Sequence, residues 1–168
     1  MSCAGTVQVT ASGSSVTASP ALILLRLSAL DLRPLDGAVT NARLHCRSVL
    51  SAWRMPRALV SDSELVISEL SSNAVRHANA GAGGAEPRPV RLRLSGLADG
   101  RLAMRGVLIE VWDASGQMPA LRSPEPDALS GRGLLLVSAY ATRWGCYPTP
   151  PAGKTVWASL LSPPRNGE

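Results

Sequence analysis

Glu69 and Asn73 stand four residues apart among Leu65, Val66, Leu70 and Ala74. On a helix, at about 100° per residue, that spacing sets a carboxylate and an amide on one face, a turn apart. An amide oxygen so placed can ligate Mg2+ while the carboxylate polarises a hydroxyl, an arrangement suited to phosphoryl transfer. The plainer account is a pair at the edge of an apolar stripe, hydrogen-bonded locally. Asp113 ends the apolar run 107–112 and precedes Ala114, Ser115 and Gly116, residues small enough to let a ligand reach the backbone. An aspartate there is equally a turn former. Gly131, Arg132 and Gly133 open another apolar run, 134–141. A glycine-rich helix start presents free N–H groups to an anion, and an ordinary flexible turn has the same composition. Lys154 and Thr155 follow Gly153 where the chain enters its last apolar segment, which also fits a simple hairpin turn. His77 lies one turn beyond Asn73. It either shapes the same site or complements the helix dipole near a C-terminus.

The elements that must hold these residues are legible in the apolar periodicity. The segment 21–30 is short and aliphatic, which suits an edge or buried strand. From 36 to 53, Val39, Ala42, Cys46, Val49, Leu50 and Trp53 recur at helical spacing, with Arg43 and Arg47 on another face. Pro56 breaks that helix, and Ser61 with Glu64 forms an S-x-x-E capping box for a second helix reaching about residue 78. The loop 79–89, rich in Gly, Ala and Pro, ends it. Val90, Leu92 and Leu94 alternate with Arg91 and Arg93 as a half-buried strand, and 107–112 is its more buried neighbour across a turn at Asp99 and Gly100. A short helix after Gly133 and a terminal hairpin, 143–147 with 154–161, complete the order β-α-α-β-β-α-β-β. That order predicts an α/β fold, a two-layer α/β sandwich with a mostly antiparallel sheet and helices on one face. Trp53, Trp112, Trp144 and Trp157 are expected in the core, supplying aromatic bulk to a chain without Phe.

With 168 residues, 45% hydrophobic and 17% charged, the chain is expected to form one domain over 21–162, with flexible tails at 1–20 and 163–168. No apolar stretch approaches the roughly 18–20 residues of a membrane span. The opening residues also lack the basic region of a secretory signal. No membrane association and a cytoplasmic location are therefore expected. Cys3, Cys46 and Cys146 are odd in number and far apart, so they read as reduced thiols, and His45 and His77 fall on separate helices, which does not suggest a metal centre. A net charge of +5 and a pI near 9.9 would permit nucleic-acid binding. The 17 basic residues are dispersed, however, and only Lys154 is a lysine, which argues against direct nucleic-acid contact.

The blocks Glu69-Leu70-Ser71-Ser72-Asn73-Ala74-Val75-Arg76-His77-Ala78, Val111-Trp112-Asp113-Ala114-Ser115, Ser130-Gly131-Arg132-Gly133-Leu134 and Gly153-Lys154-Thr155-Val156 stand in the order of the N, G1, G2 and G3 boxes. In that order and spacing the chain resembles the GHKL ATPase superfamily, over roughly residues 36–160. More closely it resembles the compact anti-sigma-factor branch typified by RsbW and SpoIIAB, serine kinases built on the Bergerat ATP-binding fold. The resemblance implies ATP and Mg2+ as cofactors. It makes Asn73 the Mg2+ ligand, Glu69 the general base and Asp113 the acceptor of the adenine amino hydrogen bond. Gly131 and Gly133 correspond to the hinge of a lid, and Thr155 to a threonine near the adenine. Arg132 and Lys154 stand where either a phosphate contact or a solvent-facing position fits.

Two departures accompany the match. The G1 box reads Asp113-Ala114-Ser115-Gly116-Gln117 where the superfamily has D-x-G-x-G, so the loop loses a residue free to take positive φ. Leu129 stands where some kinase members carry an arginine. The function implied is phosphorylation of an anti-sigma-factor antagonist on serine or threonine, with sequestration of a sigma factor and homodimerisation as further properties of the branch. The alternative is a non-catalytic module binding nucleotide and partner. The face carrying Arg43 and Arg47, with Arg54 and Arg57 beyond it, reads either as a docking surface for an acidic protein or as a solvated helix face.

Overall fold

The computed structural model describes residues 22–80, 88–119 and 133–163. The alternation of Val90, Leu92 and Leu94 sends those side chains to one face of β2 (Val90–Ala98), where each is at most 1% exposed. The same period in β3 (Met104–Asp113) buries Val107, Ile109 and Val111 beside them. β5 (Lys154–Leu161) continues that face with Val156, Ala158 and Leu160. β1 (Ile23–Leu32) and β4 (Arg143–Pro148) close the two edges, giving an all-antiparallel five-stranded sheet of order β1-β2-β3-β5-β4.

The helices α1 (Ala38–Ala52), α2 (Arg57–Ala80) and α3 (Gly133–Tyr140) cover one face. α1 buries Ala38, Ala42, Cys46 and Leu50, a stripe repeating every fourth residue. α2 buries Val66, Ile67, Leu70 and Ala74 against the sheet. Each fully buried aliphatic side chain contributes on the order of 1.5–3 kcal/mol, so this stripe and the facing strand residues supply the main driving force. Element order, sandwich architecture and helices on one face agree with the sequence-based expectation. β1 runs two residues later than expected, and the tail expected over 1–20 lies outside the described residues.

Two expectations are corrected. The capping box does not start α2: the helix begins at Arg57, the Pro56 carbonyl accepts from Val60 N–H at 3.1 Å, and Ser61 and Glu64 lie inside the helix. Glu64 instead accepts from Arg47 Nε and Nη2, at 2.5 and 2.7 Å, in a fork that ties α2 to α1. Arg47 stays 63% exposed in that contact, which holds the Glu64 carboxyl below its ordinary range. Trp112 and Trp157 lie on the sheet face that carries no helix among the described residues, Trp112 beneath the Arg91 guanidinium at 5.6 Å. Only Trp53 and Trp144 pack on the core, Trp144 with its indole N–H donating to Ser138 Oγ at 2.8 Å.

Cys46 supplies a probe of this packing. It is fully buried, and desolvation with the Glu64 charge nearby pushes its thiol up to about 12. Below pH 9 it should resist iodoacetamide in the folded protein and react at a free-thiol rate only in denaturant. Peptide mapping by mass spectrometry checks this, and native-state labelling at the rate of an exposed cysteine would contradict the packing of α1.

Candidate functional site

The β3–β5 register sets Asp113 opposite Lys154 on the helix-covered face, at the end of the sheet where β3 leaves it. Their side chains are 2% and 3% exposed, and Lys154 Nζ donates to Asp113 Oδ1 at 2.8 Å. The Ser115 backbone N–H reaches the same oxygen at 2.9 Å, and Ser115 Oγ accepts from Gln117 N–H at 3.2 Å. An Asx-turn followed by a serine turn therefore shapes the loop. Ser115 is not among the positive-φ residues of the described chain, so the missing glycine costs this turn nothing. Lys154 Nζ also lies 3.4 Å from the Ser115 carbonyl. Gly153, at φ +100°, lies against this corner from the other strand. A Cβ there would collide with the Asp113 carbonyl and stand 2.9 Å from Trp112 Nε1. Both its φ and its surroundings require glycine.

The second half of the site lies on α2. Glu69 and Asn73 are half-buried on the flank of the helix that meets the N-terminus of α3. A Cβ at Gly133 would come within 2.5 Å of Glu69 Oε2 and 3.6 Å of Asn73 Nδ2. Only glycine therefore lets the first turn of α3 lie this close to the carboxylate and the amide. Asn73 Oδ1 accepts from Arg76 Nη1 at 3.1 Å, one turn along α2. His77 lies in the last turn of α2, where a cation complements the dipole.

Residues 32–160 match the family described as histidine kinase-like ATPase domain. The chain belongs to that family. Its fold is also that of two solved structures. One is the crystal structure of the RsbU and RsbW domains of Rv1364c from Mycobacterium tuberculosis, with TM-score 0.56 and 18% identity over 83% of this chain and 34% of that one. The other is a chain of the SiaB-SiaC complex from Pseudomonas aeruginosa, with TM-score 0.59 and 12% identity over 79% of this chain and 88% of that one. The chain thus spans about a third of the Rv1364c chain it matches. No curated protein matches.

Within this ATPase domain the structure brings Glu69, Asn73 and Gly133 together, and separately Asp113, Ser115 and Lys154. Gly131 and Arg132 lie outside the described residues. Lys154 does not face solvent. Thr155 is not beside Asp113: strand alternation turns it to the opposite face, across from Trp112, where its hydroxyl lies 2.7 Å from Thr149 Oγ1. The signal was present in the sequence, since Lys154, Val156, Ala158 and Leu160 share one parity and three of them are apolar. Arg76, which holds the Asn73 amide, had no sequence signal apart from its spacing of three.

Asp113→Asn should therefore test the fold as well as the site. It leaves the Lys154 ammonium buried without its counter-charge, and a broken buried pair costs about 3–5 kcal/mol. In urea unfolding the Asp113→Asn, Lys154→Met double variant should recover much of that loss. A single variant as stable as wild type would show that the pair is not dry.

Proposed function

We propose that this ATPase domain binds ATP with Mg2+ and passes the γ-phosphoryl group to a serine or threonine hydroxyl of a protein partner, an anti-sigma-factor antagonist. The observation that carries the reading is the close approach of the α3 N-terminus to Glu69 and Asn73 at Gly133, where a Cβ would collide with Glu69 Oε2. Asn73 fits the group: Mg2+ is commonly held by one or two protein oxygens together with substrate phosphates, and Asn73 Oδ1 would supply such an oxygen. When bound, the ion would neutralise charge on the transferring phosphoryl. Glu69 accepts the proton of the attacking hydroxyl. A new bond joins the hydroxyl oxygen to the γ-phosphorus, the bond from that phosphorus to the β–γ bridging oxygen breaks, and ADP departs. Asp113 accepts from the adenine amino group.

A protein partner is supported by the SiaB-SiaC complex, in which a chain of similar fold meets a second protein. Sequestration of a sigma factor and homodimerisation extend the proposal through the anti-sigma-factor resemblance. No helix among the described residues is long and apolar enough to cross a membrane. One observation favours a second reading, nucleotide binding without transfer: Asn73 Oδ1, the atom that would meet the metal, is bonded to Arg76. Transfer then requires the Arg76 side chain to move away.

Glu69→Gln should keep ATP affinity in calorimetry and lower phosphotransfer to the antagonist by roughly 10²–10⁴-fold. Asn73→Ala should lose the Mg2+ dependence of binding. ATP binding by the wild type with no labelled phosphate on any candidate antagonist would leave the binding-only reading, and a wild type that does not bind ATP would overturn both.

A further inference from the structure

We infer that Lys154 is a base-reading residue: its ammonium donates to the ring nitrogen beside the amino group that Asp113 accepts, so the buried pair reads adenine's donor–acceptor edge as one unit. This rests on the nucleotide site proposed above. The inference starts from what the pair leaves unfilled. Asp113 Oδ1 accepts from Lys154 and from Ser115 N–H, whereas Oδ2 takes no hydrogen bond from the described residues and is not one of their sealed, unpartnered atoms, which are Ser71 Oγ and Ser162 Oγ. Lys154 Nζ has three protons and no acceptor capacity. One proton goes to Asp113 at 2.8 Å and a second faces the Ser115 carbonyl at a long 3.4 Å, which leaves a third without a partner among the described residues. An open acceptor and an open donor thus sit side by side.

A ligand edge that satisfies both must present a donor next to an acceptor. Adenine does so with its amino group and N1, whereas guanine presents the reverse order, O6 then N1–H, and would have to turn over to make the same contacts. Stability does not account for the lysine. A buried ion pair gives no more, and commonly less, than apolar residues of the same volume, and the other inward side chains of β5, Val156, Ala158 and Leu160, are apolar. Thr155 cannot serve instead, because its hydroxyl is on the far face with Thr149. A charge therefore takes the place that the family resemblance gives to a neutral hydroxyl.

The test compares Mg2+-ATP with Mg2+-1-deaza-ATP, in which N1 becomes C–H, by calorimetry on the full chain. Wild type should bind the analogue roughly 10- to 100-fold more weakly, the range for one hydrogen bond to a charged group. In folded Lys154→Met the ATP affinity should fall and the penalty for 1-deaza-ATP should vanish, since the deleted partners are the two ends of one bond. A penalty that persists in that variant would overturn the inference, as would equal wild-type affinity for the two nucleotides, with the nucleotide site left standing. Failure of wild type to bind ATP would remove the site and this inference with it. Lys154 is the only lysine, so a readout without any variant exists. In protein labelled with 13C,15N-lysine, the single Nζ and Cε signals should move on adding ATP and stay with 1-deaza-ATP, and identical shifts with both would overturn the assignment.

Discussion

The ion pair between Asp113 and Lys154 is the constraint around which the site is built. Two opposite charges at 2–3% exposure cannot separate without one of them losing both water and partner, so each fixes the other. Because they are register partners on adjacent strands, the same contact fixes the alignment of β3 with β5 at the end of the sheet. The loop after β3 is tied to the pair through Ser115, and the turn before β5 is pressed onto it at Gly153. A one-residue slip of β5 would replace lysine by threonine opposite Asp113 and leave the carboxylate buried and uncompensated. Electrostatics here specify register, which an apolar pair would enforce less sharply.

The two faces of the sheet solve different problems. The inner face is aliphatic and is covered by α1, α2 and α3, and the chemistry of the site sits at its edge, where that cover ends. The outer face carries Arg93 and Glu110 in a bidentate pair at 2.6 and 2.7 Å, with Tyr147 donating to Glu110 at 3.2 Å. Glu110 is 7% exposed there, shielded by its own partners rather than by a helix, and burial beside that carboxylate pushes the Tyr147 phenol up. Ion pairing and cation–π contact let this face keep its tryptophans with no helix over them among the described residues.

Element order and type were legible because the chain marks its periods cleanly: period two in 90–94 and 154–160, period near four in α1. The start of α2 was not. Ser61 and Glu64 carry a capping pattern that local sequence cannot distinguish from two residues inside a helix, and what decides between them is Arg47, seventeen positions away. The positions that carry the family boxes were legible as types, and Glu69, Asn73 and Gly133 do converge. Which residue faces Asp113 was not legible from the motif alone. A box read as a string treats Lys154 and Thr155 as interchangeable neighbours, whereas a strand sends them to opposite sides.

The loop at Ser115 shows why a departure from a motif need not be a departure from its geometry. Glycine at such a position gives backbone freedom, but the turn here is closed by hydrogen bonds at ordinary φ: the aspartate oxygen takes the Ser115 N–H, and the serine oxygen takes the Gln117 N–H. Serine supplies an acceptor that glycine lacks, so the loop exchanges conformational freedom for a fixed shape. That exchange is consistent with the lysine opposite. A carboxylate already gripped at one oxygen by an amide and an ammonium is oriented before any ligand arrives, and a preorganised acceptor loses little entropy on binding. Any ligand that fills the remaining oxygen and ammonium proton must do so in the native register, since an unfolded chain offers no such pair. Occupancy of the site and closure of the β3–β5 end of the sheet are therefore thermodynamically linked.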